Sequence, residues 1–236
     1  MKTKVIICFL LCAFMLAFSE AATASSLNIL FDVKVINNFW WRVKEYVNPH
    51  MQFEIDATHF FNDRVGIGIV PFKSYSLQQD ESDERDLYFY GVYKLNKLTL
   101  KSGYIVYTGN GTHERPEQGE FYANAMLSGY ISKAITCSTG LTSYFDIAKS
   151  GAAYIEGSFA ADIGNTEGGL YATLGSVLCY DLGQFVENEF TALQLRAALN
   201  LRIAERVYVV PSYRCIIGIH QLFGNTDIWC VNLTFK

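Results

Sequence analysis

The sequence predicts an all-β protein, a closed antiparallel transmembrane β-barrel of about 12 strands, and three observations support this class. Apolar and polar residues alternate through many short segments, as they do in strands that are covered on one face. The connections between these segments alternate between short turns and longer polar loops. No segment beyond the N-terminal region reaches the roughly 18 consecutive apolar residues of a membrane-spanning helix.

The N-terminal segment 1–24 predicts a secretory signal peptide. Two lysines precede an apolar run, and Ala22-Thr23-Ala24 forms a small-x-small cleavage site, which together are the parts of such a signal. The apolar run is shorter than the ~20 residues that a single-span anchor needs. We therefore expect residues 25–236 to form one mature outer-membrane β-barrel domain.

Composition and cysteine spacing exclude several classes of protein. The 236-residue chain has a formal net charge of −4 and no basic stripe, so we predict no nucleic-acid partner. Cys137, Cys179, Cys215 and Cys230 lie in predicted strands, far apart and without the spacing of a metal site. Four cysteines allow three pairings, and the sequence leaves their disulfide pairing open. We expect free thiols that act as small apolar residues, and we predict neither a metal nor a cofactor.

The central segment 87–108 predicts an antiparallel hairpin. Two runs rich in aromatic and aliphatic residues flank the pair Asn96-Lys97, and each run is too short for a separate helix. The other segments repeat this unit. The predicted strands lie near 28–36, 50–60, 64–75, 86–95, 98–108, 120–131, 134–147, 152–163, 169–180, 190–203, 206–219 and 227–235.

Alternation is clearest in the strand predicted at 190–203. Leu195 and Leu199 share one face, while Arg196 and Arg202 share the other. Because the side-chain period of a strand is two, one face must be covered by lipid or protein and the other must meet water. The sequence therefore predicts that lipid covers the leucine face.

The predicted connections sort into two rims. Short turns follow every second strand, and most of the remaining connections are longer and polar. An even number of strands with short turns on one rim is typical of bacterial outer-membrane barrels. We also expect interfacial girdles of aromatic residues, formed by Trp40, Trp41, Phe60, Phe61, Phe72, Tyr75, Tyr107, Tyr130, Tyr180, Phe190 and Trp229. The last strand ends its apolar alternation at Phe235, which looks like the C-terminal signal of such barrels.

Several hairpins carry a family resemblance. Trp41-Arg42, a loop that ends in Pro49, and the segments 86–93 (DLYFYGVY) and 103–108 (GYIVYT) resemble the TorF-type family of outer-membrane porins. The segments 120–122 and 153–159 are similar to its later strands. The resemblance implies a channel or channel-like barrel in the bacterial outer membrane, and it does not supply a solute.

The polar faces supply candidate pore-lining residues: Glu54, Asp56, Lys101, Glu156, Asp162, Arg196, Arg202 and Arg214. We expect the arginines to form one wall and the acids of the strands near 50–60, 134–147 and 152–163 to face it. Such opposed walls would impose a transverse field on permeating solutes. The alternative is that these charges pair and plug a narrow interior.

These observations predict a porin-like passive channel for small solutes or ions, with outer-membrane lipids as further partners. Association into a homo-oligomer stays open. His59 lies on an apolar face without a serine motif beside it, so we predict no enzyme activity. Two rivals stay open. One is a non-conducting barrel that anchors the envelope or binds a ligand, and the other is a soluble exported barrel that binds a lipid in an apolar interior.

Overall fold

A computed structural model describes most of the chain beyond the N-terminal region. The described residues are 26–37, 39–41, 44–46, 49–77, 84–107, 119–147, 152–165, 168–184, 188–220 and 225–235. The predicted signal peptide, 1–24, lies outside them and stays a prediction. Among the described residues, no helix is long and apolar enough to cross a membrane.

Strands account for nearly all of the described chain, and twelve of them close into one barrel. Their bounds are β1 Ser26–Ile36, β4 His50–Phe60, β5 Val65–Ser76, β6 Glu84–Leu95, β7 Leu98–Tyr107, β8 Gly119–Ser132, β9 Ile135–Asp146, β10 Ala153–Asn165, β11 Leu170–Leu182, β12 Glu189–Ala204, β13 Val207–Gly218 and β14 Thr226–Phe235. Two three-residue strands, β2 Phe39–Trp41 and β3 Lys44–Tyr46, form a separate hairpin between β1 and β4. The predicted fold class is confirmed, with strand bounds within about two residues of the prediction.

The barrel closes because β1 pairs antiparallel with both β4 and β14. Every other neighbouring pair in the barrel is also antiparallel and consecutive in sequence. The strand ends that are joined by the turns 61–64, 96–97, 133–134, 166–169 and 205–206 lie at one rim, here called the short-turn rim. The strand ends that are joined by the connections 37–49, 77–83, 108–118, 147–152, 183–188 and 219–225 lie at the other, the long-loop rim. The start of β1 and the end of β14 both lie at the short-turn rim.

Every second residue along a strand, that is, residues of the same odd or even parity, lies on the same face of the sheet. These two sets of residues form an outer row and an inner row around the whole barrel. The register pairs outer-row residues only with outer-row residues, so the two faces never mix between neighbouring strands. Exposed large apolar side chains mark the outer row, among them Ile29, Ile55, Ile69, Phe89, Leu100, Leu141, Phe159, Leu174, Leu195, Leu199 and Val231. An apolar outer surface of this extent needs a lipid cover. The lipid-binding rival requires the apolar row inside and is contradicted.

The girdle prediction is wrong for four aromatics. They lie on the inner row, where Phe60 is opposite Ser26, Phe72 opposite Glu54, Tyr107 opposite Asp86 and Tyr130 opposite Thr136. The sequence places them near strand ends, but parity rather than position along the strand decides which face they occupy.

Other predicted girdle members do lie on the outer row. Tyr180 and Phe190 contact each other there with ring centroids 4.8 Å apart, and Trp229 is 62% exposed. The side chains of Trp40 and Trp41 lie outside what the structure describes.

All four cysteines among the described residues are free thiols in strands, as expected. Cys179 is buried, whereas Cys137, Cys215 and Cys230 are half-buried. By parity Cys179 and Cys230 belong to the inner row, and Cys137 and Cys215 belong to the outer row.

Candidate functional site: the inner row of the barrel

The register places all eight predicted pore-lining residues on the inner row. Glu54 and Asp56 lie on β4, Lys101 on β7, Glu156 and Asp162 on β10, Arg196 and Arg202 on β12, and Arg214 on β13. Their cross-strand neighbours are also inner-row residues, for example Asn124 beside Lys101 and Thr173 beside Asp162. The inner row is where a pore lining would lie, and that role stays a proposal.

One side of the interior, formed by β1 and β4 to β7, holds its charges in a network and is called here the networked wall. Lys34 Nζ lies 3.6 Å from Glu54 Oε2. Tyr90 donates a hydrogen bond to Asp56 Oδ1 at 2.5 Å, and Lys101 Nζ lies 4.0 Å from Asp56 Oδ2. Each predicted charge on this wall therefore has a partner within the protein.

Gly68 explains how this network crosses a strand. Tyr90 lies on β6 and its hydroxyl hydrogen-bonds Thr58 on β4, so its ring passes over β5. A Cβ atom on Gly68 would stand 2.2 Å from Tyr90 Cζ. Only glycine leaves room there, because any larger residue would occupy the space of the ring. Phe60 and Val92 pack beside the same ring.

The side formed by β12 and β13 is different and is called here the arginine wall. Arg196 and Arg214 are direct cross-strand partners on the inner row. Among the described residues, neither they nor Arg202 has a carboxylate oxygen within 4.0 Å. Like charges directly opposite each other are destabilising unless something screens them. Arg196 is exposed although it faces the interior near the middle of β12, so water reaches it.

The acids of β10 lie beside this wall. Glu156 is close enough to Arg214 to interact with it electrostatically. Asp162 instead accepts a hydrogen bond from Thr173 at 2.6 Å, and Thr173 accepts one from Asn200 at 3.0 Å. One acid therefore lies near the arginines, and the other is held by neutral partners.

The prediction that the acids face the arginines across the barrel is wrong, and the strand order shows why. In the barrel, β10 is separated from β12 by β11 alone, and β4 is separated from β13 by β14 and β1. The acids therefore flank the arginine wall on both sides. Strand order places β6 and β7 opposite it, and the inner row of these strands carries Tyr88, Tyr90 and Lys101.

A band of inner-row tyrosines was missed by the sequence reasoning. Tyr88 and Tyr122 meet edge to face with ring centroids 6.5 Å apart. The ring centroids of Tyr122 and Tyr144 are 6.3 Å apart. Tyr154 follows as the cross-strand partner of Tyr144. The sequence does contain a signal for these tyrosines, because they have the same parity as the polar residues of their strands and so lie on the same face. Lys34, which pairs with Glu54, was also missed.

The interior near the long-loop rim is densely packed. His50, Glu84, Tyr154, Asp181 and Ile216 are at most 1% exposed, although all lie on or beside the inner row. Gln184 hydrogen-bonds Glu120 there, and Tyr107 donates to the same carboxylate at 2.5 Å. The part of the chain that the structure describes includes no group of three or more His, Cys, Asp or Glu side chains placed to hold a metal ion.

Comparison with known proteins shows the fold. No family model and no curated protein matches the chain. The solved KdgM porin is similar at 12% identity and a TM-score of 0.54, over 88% of this chain and 98% of that chain. The NanC porin is similar at 7% identity and a TM-score of 0.57, over 87% of this chain and 99% of that chain. An outer membrane channel from Pseudomonas putida F1 is similar at 8% identity and a TM-score of 0.56, over 91% of this chain and 96% of that chain. The architecture is therefore that of outer-membrane porins and channels.

Proposed function

We propose that this chain is a porin-like passive channel of a bacterial outer membrane that prefers small anions. The observation that carries the proposal is Arg196, a cation that faces the interior near mid-barrel and is nevertheless exposed. A charge without an ionic partner is tolerated at membrane depth where it lines a water-filled cavity. Arg214 beside it doubles the positive charge at the same place.

The comparisons support the channel class without naming a solute. Four similar structures are described as porins or channels, and one of them is the KdgM porin in complex with disordered oligogalacturonate. The TorF-type resemblance of the hairpins points in the same direction. On this proposal the eight inner-row residues line the pore, the signal peptide directs export, and the protein catalyses no reaction.

Purified protein in a planar lipid bilayer tests the proposal. We expect discrete conductance steps and, under a salt gradient, a reversal potential displaced toward the anion. Boiled protein from the same preparation is the control for detergent artefacts. A membrane that contains folded protein and carries no current above this control contradicts the channel.

A non-conducting barrel is the second candidate, favoured by the packed interior near the long-loop rim. Tyr154, Asp181 and Ile216 have no exposed surface at all, as in an end that is closed. On this candidate the arginine wall would open only toward the short-turn rim and would bind rather than pass an anion. Absence of current together with chloride-dependent protection of the arginines from phenylglyoxal would favour it.

A further inference from the structure

The hairpin of β8 and β9 extends the apolar outer surface at the short-turn rim. Strand β8 continues to Ser132, beyond Leu127, which is its last residue paired with β7. By parity Leu127, Gly129 and Ile131 belong to the outer row. Leu127 is 51% exposed and Ile131 is 72% exposed. Because exposed apolar residues on the outside of a barrel need a lipid cover, the lipid-facing surface reaches the end of this hairpin.

Lys97, in the neighbouring turn between β6 and β7, directs its ammonium group onto this outer surface. Its carbonyl oxygen accepts a hydrogen bond from Ser128 N at 2.9 Å. The side chain then runs past Gly129, where an added Cβ atom would lie 3.7 Å from both Cδ and Nζ of Lys97. Gly129 pairs with the outer-row residue Cys137. The ammonium group therefore lies on the outer face, and it reaches toward the rim as long cationic side chains do at membrane surfaces.

Lys133 places a second exposed cation in the turn of the same hairpin. The segments 94–98 and 127–136, which the structure describes in full, contain no acidic residue. No other carboxylate oxygen in the described part of the chain lies within 4.0 Å of either ammonium group. Both lysines therefore border the lipid-facing surface with their charges available to an outside anion. Lipid headgroups supply anions at such a boundary.

We propose that Lys97 and Lys133 form a binding site for the headgroup phosphate of an anionic phospholipid in the leaflet at the short-turn rim. Each ammonium group offers three donors and a compact charge, which suit a phosphate oxyanion. The acyl chains of the same lipid lie along the apolar outer row, beside Leu95 and Leu127. The proposal depends on membrane insertion and is independent of conduction through the barrel.

Native mass spectrometry of the full protein in detergent tests the site, with phosphatidylglycerol as the probe. The variant Lys97→Met/Lys133→Met should bind this lipid about 30-fold more weakly than the wild type, the factor expected when two cations near an anionic lipid surface are lost. Lys97→Arg/Lys133→Arg keeps both charges and should bind as the wild type does.

Lys94→Met is the matched control for the loss of a lysine at this rim. Lys94 lies on the inner row, with Nζ 4.1 Å from the centroid of the Phe60 ring, so its loss should leave the affinity for phosphatidylglycerol unchanged. Gly129→Leu tests position rather than charge, because the leucine side chain would occupy the space of the Lys97 stem. This variant keeps the net charge and should nevertheless bind the lipid more weakly than the wild type.

Two further arms identify the source of the phosphate. Zwitterionic phosphatidylcholine should bind equally to the wild type and the double Met variant. Inorganic phosphate, added up to the millimolar range, should not displace phosphatidylglycerol. Equal affinity of the wild type and the double Met variant for phosphatidylglycerol overturns the site, and so does wild-type affinity in Gly129→Leu. Displacement by inorganic phosphate overturns the lipid headgroup as its occupant.

Discussion

The networked wall and the arginine wall belong to one barrel and use opposite solutions for charge. On the networked wall Asp56 is engaged by Tyr90, Thr58 and Lys101. On the arginine wall Arg196 and Arg214 are neighbours that lack such carboxylate partners among the described residues. Charges with fixed partners contribute mainly to structure, whereas charges that depend on water and passing anions for screening can respond to a solute. On the proposed function, the first wall therefore contributes mainly to stability and the second to ion selectivity.

The largest expected effect compares the two faces of β12. Leu199 is 42% exposed on the outer row, where a charge near the midplane of a bilayer costs roughly 2–4 kcal/mol. We expect Leu199→Arg to lower the free energy of unfolding by that amount in lipid vesicles. Arg196→Leu on the inner row should cost far less. Equal stability of Leu199→Arg and the wild type in folded, membrane-embedded protein would mean that the outer row does not face lipid.

Disrupting the networked wall should lower the free energy of unfolding somewhat less than Leu199→Arg does. Gly68→Val places side-chain atoms where the Tyr90 ring lies, 2.2 Å from Cζ for the Cβ atom alone. The ring must move away, and Asp56 then loses the hydrogen bond that the Tyr90 hydroxyl donates. We therefore expect the free energy of unfolding, measured in urea, to fall by about 1–3 kcal/mol.

Gly157→Val is the control for the added side chain, because its Cβ would meet only Leu178 O, at 4.0 Å. Both variants should keep the ion selectivity of the wild type. A change of selectivity in Gly68→Val would show that the networked wall also controls permeation.

Only part of this contrast could be predicted from the sequence, because some of its features are local to one strand and others depend on strands that are far apart in the chain. Parity is a local property of a strand, so alternation correctly placed Glu54 on the inner row and Leu199 on the outer row. Which walls face each other depends on the order and closure of all twelve strands, and that information is not local. The contact between Tyr90 and Asp56 spans an intervening strand and requires Gly68 at one position, a coincidence that a single strand does not reveal.

The arginine wall is tested by charge reversal. Arg196→Glu combined with Arg202→Glu should shift the reversal potential under a salt gradient toward cations, because the luminal field changes sign on that side. Glu54→Gln is the matched control on the networked wall, where Lys34 lies 3.6 Å from the carboxylate, and it should shift the potential less. Conductance with unchanged selectivity in the double variant would place these arginines away from the constriction.

The smallest effect concerns a native thiol on the inner row. Lys34, Arg196 and Arg214 all lie near the Cys230 sulfur, so the positive field there should attract an anionic reagent and repel a cationic one. In a variant that keeps Cys230 and has serine at the other cysteines, we expect an anionic methanethiosulfonate to react about tenfold faster than its trimethylammonium counterpart. Peptide mass spectrometry measures the two rates whether or not the barrel conducts. The preference should disappear when Arg196 and Arg214 are both changed to Gln. Equal rates in the parent variant would show that the arginines do not determine the potential inside the barrel, and the contrast between the two walls would then lack a functional consequence.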